Sequence, residues 1–415
     1  MSTDDLRLTT AEAADRLGVK PETLYAYVSR GLIERRRTPG GPSTFAARDV
    51  ERLVRAGRRT RSLPPLVFPS SLTLIADGRY AYRGVDAVAA SRAHRFEEVA
   101  EWLWRGSWPD EVRWPFDAAA LDDVLAAQAA ASVECLPLDR YRIIAAVAAA
   151  ADPVRHRTEP DVVVPAARRL LRLLVHGLPR ADGREARRVE PARSMAEVLW
   201  TRLTTTPRTP ARVGLLDAAL VLLADHELPS STLAVRTAAM VRADVYEVVG
   251  TGLSVCGGLR HGGASLGVEA LLHEAARVGP ERALADRLDR GDRIPGFGHP
   301  LYPDGDPRAP VLLDGLDALD LPAERVSVVR AVVDGTTART GLAPNVDAAL
   351  AALSYAAAMA PGAGEATFAL ARTAGWVAHA LEQYETPTFM RTRVDYVGPR
   401  VDDVGPPVED IGPPR

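Results

Sequence analysis

Lysine is almost missing from this chain of 415 residues: Lys20 is the only one, so nearly every basic side chain is an arginine. We read that as a GC-rich coding sequence rather than a chemical choice. Cysteine is scarce as well. Cys135 and Cys256 stand far apart, which excludes a disulfide framework or a cysteine-ligated metal cluster and fits a reducing cytoplasm. Long apolar runs are absent too. Charge interrupts even the alanine-rich residues 118–130, and the polar N-terminus carries no signal-peptide core, so no membrane partner is expected. What remains is an ordinary globular composition, 47% hydrophobic and 25% charged, on a chain long enough for two or three structural units.

Charge is unevenly spread. Net charge is −3 overall, yet residues 1–62 hold 13 Lys+Arg against 8 Asp+Glu, a local balance of +5. That asymmetry marks a separate basic module. Within it, Thr9 or Thr10 caps a short helix that Gly18 closes, and Pro21 opens a second helix that Gly31 ends. Leu24 and Val28 face the first helix, leaving Tyr25, Ser29 and Arg30 outward. Next come Arg35, Arg36 and Arg37 in a short wing and a basic third helix over 47–59. This arrangement resembles the winged helix-turn-helix of the MerR and excisionase families. The resemblance implies duplex DNA as a partner of residues 1–62, through Tyr25, Arg30, Arg35, Arg36 and Arg37. The bland alternative is a helical appendage with a solvated basic face.

Residues 63–72 read as a proline-containing linker. The stretch after it alternates like a strand and breaks at Asp77-Gly78, which predicts a hairpin and the only sheet of consequence. From Phe96 onward apolar residues recur at three and four, helix after helix, with a loop and one helix around Met195–Leu203 in an Arg/Pro-rich region. The fold class expected is therefore mainly α.

Four stretches carry chemistry. Residues 293–309, RIPGFGHPLYPDGDPRA, present His299 on a Gly/Pro-rich loop and end with Arg308, whose guanidinium suits a carboxylate. His226 sits at a Pro229-broken junction of two helices, where it could equally be punctuation. His261 is flanked by glycines just before an amphipathic helix, whose dipole favours a neutral imidazole. Asp347 falls in the first turn of a helix that Asn345 would cap. There the dipole alone explains an acid, or an ionised carboxylate is held ready to take a proton. Arg372, Arg391 and Arg393 follow, each a surface charge by default. His273, inside a helix, reads as structural.

Together these stretches, with ADHEL, HGGA, GFGH, DPRA, PNVD, ARTAGW and the R-x-R-x-x-Y-x-G end, resemble the citrate synthase family over nearly all of residues 70–400. The resemblance implies a body at 73–400, with a large helical domain (73–261 and 359–400), a small one (about 262–358), and a tail at 401–415. It implies a homodimer acting on oxaloacetate and an acyl-CoA, with no metal or redox cofactor. Asp347 matches the base, His261 the donor to the thioester oxygen, and His299 the group that polarises the ketone. His226, Arg308 and Arg372 match oxaloacetate ligands, and Arg391 one that crosses from the other subunit. Basic residues expected near the CoA phosphates just after His299 are replaced by Pro300 and Pro303, and Arg260 is a candidate to restore the charge. Acetyl-CoA is the expected donor, giving citrate; propionyl-CoA would make a 2-methylcitrate synthase. The rival reading is a transcription regulator whose body senses citrate, oxaloacetate or an acyl-CoA.

Overall fold

The computed structural model describes residues 7–17, 19–29, 31–37, 41–47, 49–50, 67–183 and 193–386. The chain divides into two compact units, residues 1–69 and 70–415. Arg30, Arg391 and Arg393, most of the expected third helix at 47–59, and the tail lie outside the described residues, as does the side chain of Arg37.

In the first unit, β1 (Arg7–Thr9) leads into α1 (Thr10–Leu17), then α2 (Pro21–Ser29), β2 (Arg35–Arg37) and β3 (Ser43–Ala46). Thr9 caps α1: its hydroxyl accepts from the Glu12 N–H, and the Glu12 carboxylate accepts from the Thr9 N–H at 2.8 Å. Ala13, Leu24, Ile33, Phe45 and Val50 form a small separate core. The three strands make an antiparallel sheet in the order β1-β3-β2, so the hairpin after the linker is not the only sheet. Strand β1 is three residues long and pairs with a strand far along the chain, which leaves no alternation to read.

The second unit opens with the anticipated hairpin, β4 (Thr73–Ala76) and β5 (Arg79–Tyr82), extended by β6 (Val85–Asp86). Asp77 and Gly78 both have positive φ, 53° and 72°, the geometry of a two-residue turn matched to strand twist. Helices then run as α3 (Ala87–Ala93), α4 (Phe96–Arg105), α5 (Ala118–Gln128), α6 (Pro137–Ala151) and α7 (Pro160–His176). They continue as α8 (Met195–Leu203), α9 (Pro210–Leu223), α10 (Ser230–Met240), α11 (Val245–Cys256), α12 (Ala264–Val278) and α13 (Pro280–Asp289). The last are α14 (Arg308–Gly315), α15 (Ala323–Thr340), α16 (Val346–Ala356) and α17 (Ala363–Glu385). Proline at the first turn starts α6, α7, α9 and α13, where its missing N–H removes nothing.

Helix α17 is the axis of the unit. It is buried on nearly every face and packs against α4, α9, α10, α11 and α16. A helix covered on all sides belongs inside a larger assembly of helices. The close approach of α11 is made by Gly252, where a Cβ would lie 2.6 Å from the Trp376 ring. Among the described residues, no helix is long and apolar enough to cross a membrane.

Candidate active site

The hairpin positions His226. Helix α9 ends at Leu223, and residues 225–227 are strapped to β4: the Thr73 hydroxyl donates to the Asp225 carboxylate, and the Ile75 N–H donates to Glu227 at 3.1 Å. His226 is buried between them, with its Nε2 2.7 Å from the Tyr302 hydroxyl and its ring edge-on to Tyr80. Burial, then Arg308 and Arg372, holds its pKa well below the usual range, so the ring is neutral.

His261 lies in the turn between α11 and α12, two residues before the Gly263 cap. Gly262 is needed there, since a Cβ would come within 2.6 Å of Cys256 Sγ. The His261 Nε2 is 2.6 Å from the hydroxyl of Ser231, a fully buried residue of α10. Burial, followed by Arg372, lowers its pKa to about 4. The ring is neutral, as the helix argument expected, though burial is the larger cause.

The loop at 293–307 docks on the segment before α16. The Gly298 N–H donates to Ala343, the Asn345 N–H donates to Gly296, and the Asn345 side chain donates to the Gly298 carbonyl at 3.0 Å. Gly296 and Gly298 have φ of 82° and 74°, which their lack of a Cβ permits. His299 is presented by this loop. Its Nδ1 accepts the Leu301 N–H, and burial with Arg308 lowers its pKa.

Arg308 begins α14 and is clasped by Asp306 through two bonds of 2.8 Å. Asp306 also accepts the Val346 N–H at 2.9 Å. Burial alone would raise the Asp306 pKa, but Arg308 overrides it and holds the carboxylate ionised. Arg372 is fully buried in the middle of α17 rather than a surface charge. Its Nε donates to the Leu223 carbonyl, and its guanidinium covers the Phe368 ring at 4.8 Å.

Asp347 corrects an expectation. Asn345 does cap α16, accepting from the N–H groups of Asp347 and Ala348. Yet burial outweighs the helix start and lifts the Asp347 carboxyl to about 7, with Arg308 next in size and pulling the other way. Its Oδ1 is sealed from solvent and has no hydrogen-bond partner among the described residues.

His226, His261, His299, Arg308, Asp347 and Arg372 all line one cavity of about 640 Å³. A proton acceptor without a partner, three neutral imidazoles and two buried guanidiniums thus face a common space. Such a set can hold a small dicarboxylate and move a proton beside it. Sequence reasoning missed Ser231, Tyr302 and Asp306 as supports of this site; each was visible only as a turn or loop residue. The DNA candidates sit in the first unit, where Tyr25 is exposed, Arg35 stacks over its ring at 5.1 Å, and Arg36 is exposed beside Glu34.

The two units match different known families. Residues 7–58 match the family described as helix-turn-helix domain. Citrate synthase 2 of Bacillus subtilis is 30% identical over 82% of this chain and 96% of its own length. Citrate synthase of Haloferax volcanii is 31% identical over 80% of this chain and 94% of its own length. A 2-methylcitrate synthase of Mycobacterium tuberculosis is 26% identical over 76% of this chain and 84% of its own. The fold is shared with the citrate synthase of Thermoplasma acidophilum, solved as a ternary complex with carboxymethyl coenzyme A and oxaloacetate. That structure has a TM-score of 0.67 and 23% identity, over 82% of this chain and 96% of the other. With residues 65–393 matching the family described as citrate synthase, C-terminal domain, this chain belongs to the citrate synthase family.

Proposed function

We propose that the 70–415 unit condenses an acyl-CoA, acetyl-CoA in the first instance, with oxaloacetate and water to give citrate and CoA. The observation that carries this reading is the meeting of Asp347, His261 and His299 with His226, Arg308 and Arg372 around one cavity. Oxaloacetate lies against the two arginines and His226. Asp347 takes a proton from the methyl carbon of the thioester while neutral His261 donates a hydrogen bond to the thioester oxygen, stabilising the enol. The enol carbon attacks the oxaloacetate ketone, and His299 delivers its proton to the forming alkoxide. Hydrolysis of the citryl thioester then releases CoA.

Residues of about 262–358 form a smaller domain against the larger one made of 73–261 and 359–400. Support comes from the cavity walls, to which both segments contribute: His226 and Arg372 from one, His299, Arg308 and Asp347 from the other. Closure of one upon the other would exclude water from the enol. The unit works as a homodimer in the cytoplasm, with Arg391 of the partner subunit completing the acid site; family membership is what supports this. Propionyl-CoA differs by one methylene, a discrimination of about 1–3 kcal/mol set by pocket volume.

The N-terminal unit binds duplex DNA through Tyr25, Arg35 and Arg36, supported by their exposure and by the helix-turn-helix match. A body that only sensed an effector would need the arginines but no base, so the Asp347 carboxylate in the cavity favours the enzyme. The test is thiol release from acetyl-CoA and propionyl-CoA, with and without oxaloacetate, on the full chain and on Asp347→Ala. Oxaloacetate-dependent release lost in the variant supports the reading. No release with either donor from folded protein overturns it.

A further inference from the structure

Tyr302 stands between two of the cavity imidazoles. Its ring meets that of His226 edge-on at 5.6 Å and lies tilted against that of His299 at 4.9 Å. A pair of turns sets it there: the Tyr302 N–H donates to the His299 carbonyl, and the Tyr302 carbonyl accepts the Gly305 N–H. The residue is 1% exposed, and burial raises its pKa, so the phenol keeps its proton. Among the described residues, that hydroxyl has a single hydrogen-bond partner, Nε2 of His226 at 2.7 Å.

A count of donors and acceptors decides the direction of that bond. If Nε2 carried the imidazole proton and donated it to the Tyr302 oxygen, the phenolic proton would be left buried without an acceptor. With the hydroxyl donating to Nε2, both groups of the pair are satisfied. A neutral imidazole holds one proton, which then sits on Nδ1. Nδ1 is also the nitrogen left for a ligand. His226 lines the cavity, and its Nδ1 bonds to no described residue yet is not sealed from solvent. The carboxylate and ketone oxygens of a keto acid only accept, so the ring has to offer an N–H there.

We propose that Tyr302 is a positioning residue that fixes the tautomer of His226, keeping its proton on Nδ1 so that the ring donates to the keto acid. This rests on the condensing reading above and adds to it a residue that acts through His226 rather than on the substrate itself. Without the hydroxyl the ring is free to hold its proton on either nitrogen, and only the Nδ1–H fraction is competent to bind.

The test compares the full chain, with isotope-labelled histidine, and Tyr302→Phe, which keeps the ring and removes only the hydroxyl. Two-bond proton–nitrogen spectra, with His226→Gln for assignment, should show His226 of the parent as the Nδ1–H form and add an Nε2–H signal in Tyr302→Phe. A role confined to packing would leave the tautomer unmoved. The same substitution is expected to raise the oxaloacetate KM about three- to tenfold, with the acetyl-CoA KM within about twofold of the parent. An Nε2–H form in the parent overturns the proposal. So does a variant that keeps the Nδ1–H form alone, or one whose oxaloacetate KM stays within about twofold of the parent. If the parent releases no thiol from any acyl-CoA, the condensing reading fails instead. The spectra and a calorimetric titration with oxaloacetate then decide this proposal by the same criteria.

Discussion

The backbone N–H of Leu301 donates to Nδ1 of His299 at 3.1 Å. A backbone amide can only donate, and burial keeps this ring neutral, so its proton sits on Nε2. The loop therefore fixes which nitrogen can serve as a donor to a ketone. Replacing His299 with Gln is expected to lower kcat by about a hundredfold to ten-thousandfold, the usual span for a general acid. Two-bond proton–nitrogen spectra of the parent, with the variant used for assignment, should show the Nε2–H form. An Nδ1–H form would contradict the geometry.

For Asp347 the sign of the pH effect follows from burial. Its folded value of about 7 lies above the ordinary carboxylate value of 3.8, so folding favours the protonated form. The stability it contributes is complete below the ordinary value and is lost as pH rises through about 7. Catalysis runs the other way, because only the ionised form accepts a proton. Thus kcat/KM for the acyl-CoA should rise through neutral pH, while Asp347→Asn removes activity yet melts a few degrees higher than the parent at pH 8. Melting curves at pH 8 and pH 5 check this, with the gain expected to be clearly smaller at the lower pH.

Ser231 orients His261 from a fully buried position. Ser231→Ala leaves the His261 Nε2 unpaired, and we expect a stability loss of about 1–2 kcal/mol together with a fall in kcat of about tenfold. Urea titration and steady-state rates separate the two. A variant with reduced stability but parental kcat would make Ser231 purely structural.

Gly296 has a φ of 82°, and a Cβ there would lie 2.6 Å from Val268 Cγ2 and 3.0 Å from Ala348 Cβ. Gly296→Ala should destabilise by about 2–3 kcal/mol and cut activity, since the crowded Ala348 adjoins Asp347. Gly341→Ala is the contrast. Its φ is also positive, at 70°, but nothing lies within 4 Å, so only the backbone term of about 1 kcal/mol should appear. Thermal melts of the two variants measure the difference.

If Arg35 and Arg36 touch phosphate, changing both to Gln should weaken duplex binding and flatten its salt dependence. The slope of log affinity against log salt is expected to fall by about 1 per arginine. Fluorescence anisotropy of the full chain from low to moderate salt checks it. An unchanged slope would remove both residues from the interface.

The cavity residues were legible because each sits in a short stretch whose residue types are odd for a structural loop: an imidazole among glycines, a guanidinium after a rigid turn. Their states were less so. The helix-start rule for Asp347 counts only the local dipole, whereas burial depends on helices brought over it by packing. Arg372 illustrates the same gap. In sequence it is one more surface arginine, but α17 is wrapped on nearly every face and carries it to the centre. Supports such as Tyr302 and Asp306 act on partners distant along the chain, His226 and Val346, and no spacing rule connects them. The strand β1 was lost for the same reason.

Asp306 grips Arg308 with both oxygens and, through one of them, also holds the Val346 N–H. A single carboxylate thereby rivets the cation of one helix to the first turn of another, the turn that bears Asp347. The two parts are not separable modules for an engineer: sliding the arginine to fit a longer acid would drag the base with it. Redesign of the acid pocket would have to begin by replacing that rivet.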